Sequence, residues 1–443
     1  MASKESLPYE PNRPDPWSKS WAEASALFTT SATAAGARLE RIELQPALDG
    51  TPLWVDVAIW GSSTSKILLY TAGIHGVEGY AGSAIVVDLC HQIKQQSAQA
   101  LNTKIIFVHV LNPAGMHSWR RWNENNVDLN RNTLATEQDY AERRDNPNAT
   151  YVKYDSFLNP TDALGVCDCF TPRLVCLICV EGFNNGKQAL AGGQAHTQRG
   201  LFYGGEQWEP TPQLVFALLE QEGVSPDNTA LQSFFHVDIH TGVGPYKHES
   251  LLSENCFLPK LEKIFGSKGD LESDWHLDGI GTWVEFVQGE DADEVQEVVV
   301  TTGESKEDDK KQMLTTKEAK DGVAYTAKGH VGGGLFYKIT PKHMQRSGAD
   351  WISVTEEFGT LKGTKVFQLL RAENALTTSV TNANTDDVRR VHTALSKSSE
   401  RKKVFDAFCP ADLKWREFVV KRGRIVFNQA LEHLQKGEID HDE

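Results

Sequence analysis

One glycine-rich segment places a histidine and a glutamate three residues apart. It reads Thr71-Ala-Gly-Ile-His75-Gly-Val-Glu78-Gly-Tyr-Ala-Gly82. At this spacing an imidazole nitrogen of His75 and a carboxylate oxygen of Glu78 can reach one cation. The segment follows a predicted buried strand and precedes a predicted helix, which is where α/β sheets place ligand sites. It therefore predicts part of a metal site, although a histidine-x-x-glutamate pair also occurs by chance.

A further ligand is expected from the end of a second strand. In Phe-His236-Val-Asp238-Ile-His240-Thr-Gly, the two histidines and the aspartate share one strand face, and His240 comes last before a glycine-rich turn. His236 alone is interpreted as a core or surface histidine, and His240 as a ligand only together with His75 and Glu78. Two histidines and one glutamate leave a coordination position for water, which is typical of a catalytic and not of a structural zinc site. These ligands also suit zinc better than magnesium or calcium, which favour oxygen ligands alone. We therefore predict one Zn²⁺ per chain.

Between these segments, residues 119–132 are dense in groups that bind anions. The segment contains Arg120 and Arg121, followed by Asp128-Leu-Asn130-Arg131. A guanidinium group can hold a substrate carboxylate with two parallel hydrogen bonds. The alternative interpretation is a charged surface loop.

A late strand carries two consecutive glutamates, Glu356 and Glu357, near its end. Consecutive strand residues point to opposite faces, so only one of the two can face a given site. A glutamate beside a metal-activated water is the expected general base. The alternative is an ordinary acidic residue of an edge strand.

These motifs, in this order, resemble the zinc carboxypeptidase superfamily. Phrases such as Gly-x-His-Gly-Val-Glu-Gly, Asn-Val-Asp-Leu-Asn-Arg-Asn, Gly-Leu-Phe-Tyr-Gly-Gly, Asp-x-His-Thr-Gly and Glu-Phe-Gly-Thr are similar to a poorly characterised carboxypeptidase-like branch of unknown function. That branch is related to the aspartoacylase-like deacylases. The resemblance runs from about residue 17 to residue 376, and it is weak over residues 253–348.

The resemblance implies a role for each candidate residue. It implies that zinc is held by His75, Glu78 and His240, and that Asp128 is the acceptor that orients His75. It also implies that the substrate's free carboxylate is bound by Asn130 and Arg131, and that Arg121 stabilises the oxyanion. Glu357, which directly precedes Phe-Gly-Thr, would deprotonate the water and later protonate the leaving amine. The tyrosine that usually covers the substrate in this superfamily has no clear counterpart.

The expected function is a zinc-dependent hydrolase that cleaves an amide bond next to a free carboxylate, as a metallocarboxypeptidase does. The expected substrate is then a small peptide. An alternative is an N-acyl amino acid deacylase of the aspartoacylase type. A third possibility, from another class, is a catalytically inactive binding protein on the same fold. The oligomeric state is not predicted.

The elements that must position these residues indicate an α/β fold. Continuous apolar runs at residues 66–72 and 104–111 are typical of strands covered on both faces, and residues 81–93 between them have a helical pattern. Residues 234–240 and 351–358 are predicted to be strands, 17–35 a helix, and 38–44 and 53–60 half-exposed strands. The pattern predicts a mixed, largely parallel sheet flanked by helices, with a zinc carboxypeptidase-like (phosphorylase/hydrolase-like) architecture.

We expect one domain over residues 1–443 with its core at about 17–376. Residues 285–322 contain twelve acidic and five basic side chains and are predicted to be a solvated acidic insertion. Residues from about 384 to 443 are predicted to be a helical extension, with an amphipathic helix at 412–435 that buries Leu413 and is interrupted at Gly423. The segment with Cys167, Cys169, Cys176 and Cys179 is predicted to be a buried helix, and Gly332–Gly334 a turn.

Composition excludes several classes of function. The 443 residues include 45 basic and 60 acidic side chains, a net charge of −15, so a nucleic-acid partner or an anionic membrane surface is not expected. No apolar run approaches the roughly 20 residues of a membrane span. Seven cysteines, an odd number spread over a long chain, favour free thiols in a reducing compartment. We therefore predict a cytoplasmic location.

Overall fold

The computed structural model describes residues 15–95, 102–162, 164, 168–253, 258–265, 275–279, 328–345, 349–382, 395 and 398–436. The predicted acidic insertion, residues 285–322, lies outside the described residues, as does Cys167. The proposed division into one domain with an insertion and a C-terminal extension remains a prediction.

A mixed sheet runs through the centre of the described structure. Its strands are β1 (Arg38–Glu43), β2 (Trp54–Trp60), β3 (Lys66–Ala72), β4 (Lys104–His109), β5 (Ser233–Val243), β6 (Glu249–Ser253), β7 (Trp275–Gly279) and β8 (Asp350–Leu361). The spatial order is β1-β2-β4-β3-β5-β8-β6-β7. The central pairs β4–β3, β3–β5 and β5–β8 are parallel, whereas β1–β2, β2–β4 and β8–β6 are antiparallel. The predicted mixed, largely parallel sheet is confirmed.

Helices cover both faces of this sheet. Those in the described residues are α1 (Trp21–Ala34), α2 (Gly79–Gln95), α3 (Pro113–Ser118), α4 (Glu137–Asp145), α5 (Ala149–Lys153), α6 (Asp155–Leu158), α7 (Phe170–Glu181), α8 (Phe183–Ala191), α9 (Pro210–Gln221), α10 (Leu258–Phe265), α11 (Val331–Lys338), α12 (Gly363–Asn382), α13 (Ser399–Phe408) and α14 (Leu413–Lys436). One apolar cluster joins the sheet to α1, α2 and α14, and a second joins its other face to α9 and α11. Strands enclosed in this way need apolar residues on both faces, as β3 and β4 have.

The C-terminal helix α14 is part of the main core. Trp415, Phe418 and Val426 belong to the apolar cluster that contains α2 and the central strands. The expected break at Gly423 is wrong, because the helix is continuous and the missing side chain lets it pack closely on Ile85. Leu413 was also expected to be buried, but it lies at the first position of the helix and is 71% exposed.

Three other expectations about packing are wrong. Strand β2 is buried and not half-exposed, because it pairs with β1 on one side and β4 on the other and is covered by helices. Helix α7 forms as expected, but Cys176 and Cys179 are exposed, since only its Phe170 and Leu177 are buried. The triple glycine at 332–334 lies inside α11 and is not a turn.

In the part of the chain that the structure describes, no helix has both the length and the hydropathy needed to cross a bilayer.

Candidate metal centre

Two parallel neighbouring strands bring the predicted metal ligands to one edge of the sheet. After β3 ends, His75 precedes a 3-10 turn, Gly76–Glu78, which leads into α2. His240 lies near the end of β5, and β5 pairs directly with β3. Gly76 permits the close contact that fixes this turn, because a Cβ atom there would lie 2.1 Å from the carbonyl carbon of Gly115.

The structure brings His75, Glu78 and His240 together as a buried group that could hold a metal ion. One ligand atom from each residue lies within 4.8 Å of the other two. Nδ1 of His75 is 3.0 Å from Oε1 of Glu78, and Nδ1 of His240 is 2.9 Å from Oε2 of the same carboxylate. Both imidazoles therefore turn the same nitrogen toward Glu78.

The other nitrogen of each imidazole faces an aspartate. Nε2 of His75 is 3.3 Å from Oδ1 of Asp128, and Nε2 of His240 is 2.7 Å from Oδ2 of Asp238. A carboxylate in this position fixes the tautomer so that the inward nitrogen keeps its lone pair for a metal. Asp128 was expected here. The sequence places Asp238 on the same strand face as His240, and this two-residue spacing is the signal for their contact.

The donor set fits a cation. Both ring nitrogens of His75 are buried, and among the residues that the structure describes neither nitrogen has a well-directed hydrogen bond, although carboxylates lie nearby. Burial acts to raise the pKa of Glu78, but His75 and His240 lower it well below its ordinary value. Burial acts to lower the pKa of His240, but Asp238 and Glu78 raise it well above its ordinary value. The pocket thus favours an added positive charge next to two nitrogens and a carboxylate.

The two consecutive arginines point to different partners. Nε of Arg121 donates to Oδ2 of Asp128 at 3.0 Å, and its Nη1 lies 3.5 Å from Oε1 of Glu78. Nε of Arg120 instead donates to Glu373 at 2.8 Å, away from the ligand group. The structure therefore places Arg121 beside the candidate metal centre, and its role toward a substrate remains a prediction.

Glu357 lies on β8, directly across from His240 in the parallel register between β5 and β8. Its Oε1 accepts a hydrogen bond from the backbone N–H of Val243 at 3.0 Å. Burial, followed by the charge of Glu78, raises the pKa of Glu357 to about 8. Glu356 is buried next to Glu249, which with burial holds its pKa well above the ordinary value. Of the two glutamates, Glu357 is the one beside the ligand group.

The predicted carboxylate-binding residues lie on a 3-10 turn, Leu129–Arg131, which Asp128 caps. Oδ1 of Asn130 accepts a hydrogen bond from the backbone N–H of Val331 at 2.9 Å. Arg131 is fully buried and donates to the backbone carbonyls of Ala191 at 2.8 Å and Asn130 at 2.7 Å. These bonds fix the turn next to the metal centre, and the role of Asn130 and Arg131 toward a substrate remains a prediction.

Phe202 is a residue of the site that the sequence did not single out. Its ring lies 5.2 Å from the guanidinium carbon of Arg121 and 5.8 Å from that of Arg131. An aromatic face at this distance attracts a guanidinium group. Phe202 belongs to the Gly-Leu-Phe-Tyr-Gly-Gly motif, which is one of the motifs that carry the resemblance. The motif alone does not indicate that Phe202 contacts the two arginines.

The sequence matches the family described as "Protein of unknown function (DUF2817)" over residues 17–270 and 281–422. The chain belongs to this family. Comparison of this DUF2817 protein with functionally curated proteins gives no match.

Solved structures that are similar to this DUF2817 protein include two carboxypeptidases and a member of the succinylglutamate desuccinylase/aspartoacylase family. Carboxypeptidase A from Helicoverpa armigera is 13% identical, with 85% of this chain and 73% of that chain covered at a TM-score of 0.40. A protein of Shewanella amazonensis, assigned to the succinylglutamate desuccinylase/aspartoacylase family, is 13% identical. The match covers 78% of this chain and 72% of that chain, at a TM-score of 0.34. A metallocarboxypeptidase from Pseudomonas aeruginosa, in complex with (2-guanidinoethylmercapto)succinic acid, is 11% identical. The match covers 94% of this chain and 70% of that chain, at a TM-score of 0.35.

Proposed function

We propose that this protein is a zinc-dependent hydrolase that cleaves an amide bond next to a free carboxylate. One observation carries the proposal: the Nδ1 atoms of His75 and His240 and the carboxylate of Glu78 converge, with Glu357 on the adjacent strand. Three protein ligands of this type leave a coordination position open, which is the pattern of catalytic zinc sites.

Zinc suits the donor set better than magnesium or calcium, because two of the three ligand atoms are imidazole nitrogens. When bound, zinc would lower the pKa of a coordinated water to about 7 and offset the charge of Glu78 that raises the pKa of Glu357. Asp128 and Asp238 lie beside the outer nitrogens of the two imidazoles, where they would hold the outer protons and leave the inward nitrogens to a bound zinc.

The remaining residues of the site supply proton transfer and positive charge. Glu357 would accept a proton from the attacking water and return it to the leaving amine. Arg121, held by Asp128 beside Glu78, would stabilise the negative charge that develops on the carbonyl oxygen. Asn130 and Arg131 would hold the free carboxylate of the substrate.

A second candidate function is deacylation of an N-acyl amino acid by the same residues. The burial of the site favours it, since every proposed ligand, base and substrate-binding residue is less than a tenth exposed. A small acyl amino acid requires less room than a peptide. The two functions differ in how much substrate chain the site admits, and not in their chemistry.

The test pairs metal analysis with two sets of substrates. We expect the purified protein to contain one zinc per chain and to hydrolyse either a panel of tripeptides or matched N-acetyl and N-succinyl amino acids. Activity on the small acyl compounds alone would reject the peptidase function in favour of the deacylase. Full zinc occupancy with no hydrolysis of either set would favour the inactive binding protein.

Three variants assign the roles. Glu357→Gln is expected to lower kcat by about 10²–10⁴-fold with zinc retained, whereas His240→Ala is expected to lose the metal. His433→Ala is the matched control, because His433 also contacts a carboxylate, Asp350 at 2.9 Å, but is not in the ligand group. Unchanged turnover in Glu357→Gln would remove Glu357 as the base, and retained zinc in His240→Ala would remove His240 as a ligand.

A further inference from the structure

A chain of buried hydrogen bonds continues beyond Asp238 into the sheet. Oγ1 of Thr71 donates to Oδ1 of Asp238 at 2.7 Å. This hydroxyl oxygen of Thr71 also lies 2.8 Å from Nε2 of His236. Nδ1 of His236 lies 2.8 Å from Oγ of Ser353. These hydrogen bonds thus connect β3, β5 and β8. They reach His240 through Oδ2 of Asp238.

The strand register explains why these side chains meet. Thr71 is directly across from Asp238, and His236 is directly across from Ser353. On β5, His236, Asp238 and His240 are two residues apart, so all three point to one face. The polar row therefore follows from three parallel strands in register.

The number of available protons sets the direction of each bond. Asp238, as a carboxylate, only accepts, so the single hydroxyl proton of Thr71 goes to it. Burial lowers the pKa of His236 to about 4, which leaves that imidazole neutral with one N–H group. That proton must be on Nε2, where it bonds to the oxygen of Thr71, so Nδ1 accepts a proton from Ser353.

We infer that Thr71 and His236 are positioning residues for the metal centre, an inference that rests on the proposed function. Thr71 holds Asp238 in the orientation that fixes the tautomer of His240, and His236 holds the hydroxyl of Thr71 in turn. Without the hydroxyl, Asp238 keeps its contact with His240 but loses the second bond that fixes its rotation.

The experiment measures zinc affinity and histidine protonation, and neither requires turnover. Thr71→Val removes the hydroxyl at nearly constant volume, and Thr71→Ser retains it. Thr103→Val is the matched control, because Thr103 is also fully buried but its hydroxyl has no partner within the part of the chain that the structure describes. The zinc dissociation constant is measured by competition with a chelator, and the protonated nitrogen of His236 by ¹H–¹⁵N NMR of the zinc-free protein.

We expect Thr71→Val to bind zinc about 10–100-fold more weakly, as is usual when the partner that orients a ligand is disturbed. Thr71→Ser and Thr103→Val should bind like the wild type, and His236 should carry its proton on Nε2. Wild-type affinity in Thr71→Val, an equal loss in Thr71→Ser or Thr103→Val, or a proton on Nδ1 of His236 would each overturn the inference.

Failure of the proposed function gives a different result. Wild-type protein that binds zinc but hydrolyses neither substrate set would reject the hydrolase, while the affinity series would still decide the roles of Thr71 and His236. Wild-type protein that binds no zinc would overturn both.

Discussion

Two buried charged regions of the molecule begin at adjacent residues. Arg121 belongs to the candidate metal centre, whereas Arg120 belongs to a second group with Glu373 and Arg401, here called the arginine–glutamate cluster. In that cluster Oε1 of Glu373 accepts bonds from Nε of Arg120 at 2.8 Å and Nε of Arg401 at 3.2 Å. Glu373 lies on α12 and Arg401 on α13, so the cluster joins two helices to the segment that contains both arginines.

The two regions differ in what their charges face. In the arginine–glutamate cluster the opposite charges bind each other, which is how buried ionic groups are tolerated in a stable core. In the metal centre, two imidazole nitrogens and a carboxylate point to a common centre, and the arrangement favours an added cation. Charge and burial alone thus do not mark a functional site; the direction of the donor atoms does.

The backbone links the two regions. The carbonyl of Arg120 accepts a bond from the N–H of Val77 at 2.8 Å, and that of Arg121 accepts one from Gly76 at 3.1 Å. These bonds hold the turn that presents Glu78. The cluster therefore supports the metal centre through the main chain, while its side chains contribute to stability.

The largest expected difference is between the effects of replacing Arg120 and of replacing Arg121 on stability and on turnover. Arg120→Met should lower the free energy of unfolding by about 3 kcal/mol, because Glu373 loses a buried partner, and should leave the turnover of folded protein unchanged. Arg121→Met should lower kcat/KM by about 10²–10³-fold, as loss of an oxyanion donor does. Chemical denaturation and steady-state kinetics on both variants measure this. A loss of turnover in Arg120→Met comparable to that in Arg121→Met would erase the distinction between the two regions.

An intermediate effect is expected when pH changes the contribution of the arginine–glutamate cluster to the free energy of unfolding. Burial acts to raise the pKa of Glu373, but Arg120 and Arg401 lower it below its ordinary value. Its stabilising effect is therefore complete above the unfolded-state pKa, about 4.3, and is lost as pH falls further. The difference in unfolding free energy between wild type and Glu373→Gln should narrow below that pH by at most about 1.4 kcal/mol per pH unit. Denaturation between pH 3 and pH 7 tests this, and a constant difference would show that Glu373 acts through packing alone.

The smallest effect on the free energy of unfolding is expected from replacing Lys402, the residue that follows Arg401. Lys402 forms an ion pair with Asp406 on the same helix at 2.6 Å, and both side chains are more than half exposed. Lys402→Ala should change the free energy of unfolding by no more than about 0.5 kcal/mol, whereas Arg401→Met, in the buried cluster, should cost about 3 kcal/mol. Thermal or chemical unfolding of both variants provides the comparison. Equal losses would mean that burial does not set the strength of these pairs.

Much of the fold could be predicted because the central strands are enclosed. The runs at residues 66–72 and 104–111 are apolar on both faces, and this pattern is typical of strands between two helical layers. Burial at the periphery could not be predicted in the same way. The cysteines of α7 and Leu413 of α14 are apolar in type, yet their exposure depends on which neighbouring element covers them.

The site could be predicted in part. Strand alternation shows that Glu356 and Glu357 face opposite sides, but only the pairing of β8 with β5 puts Glu357 across from His240. The sequence indicates that the two arginines before Asp128 are a source of positive charge. Which of them faces the ligands depends on Glu373, some 250 residues further along the chain.

The sequence by itself determined the chemical types of the candidate ligands, their local spacing at His75 and Glu78, and the strand ends on which they lie. These follow from short-range geometry, because a turn of three residues and a strand period of two are properties of the local backbone. Only the tertiary structure decided that Asp238, Thr71 and His236 form one hydrogen-bonded row behind His240. That row depends on the register between strands far apart in the chain, and no local pattern specifies that register.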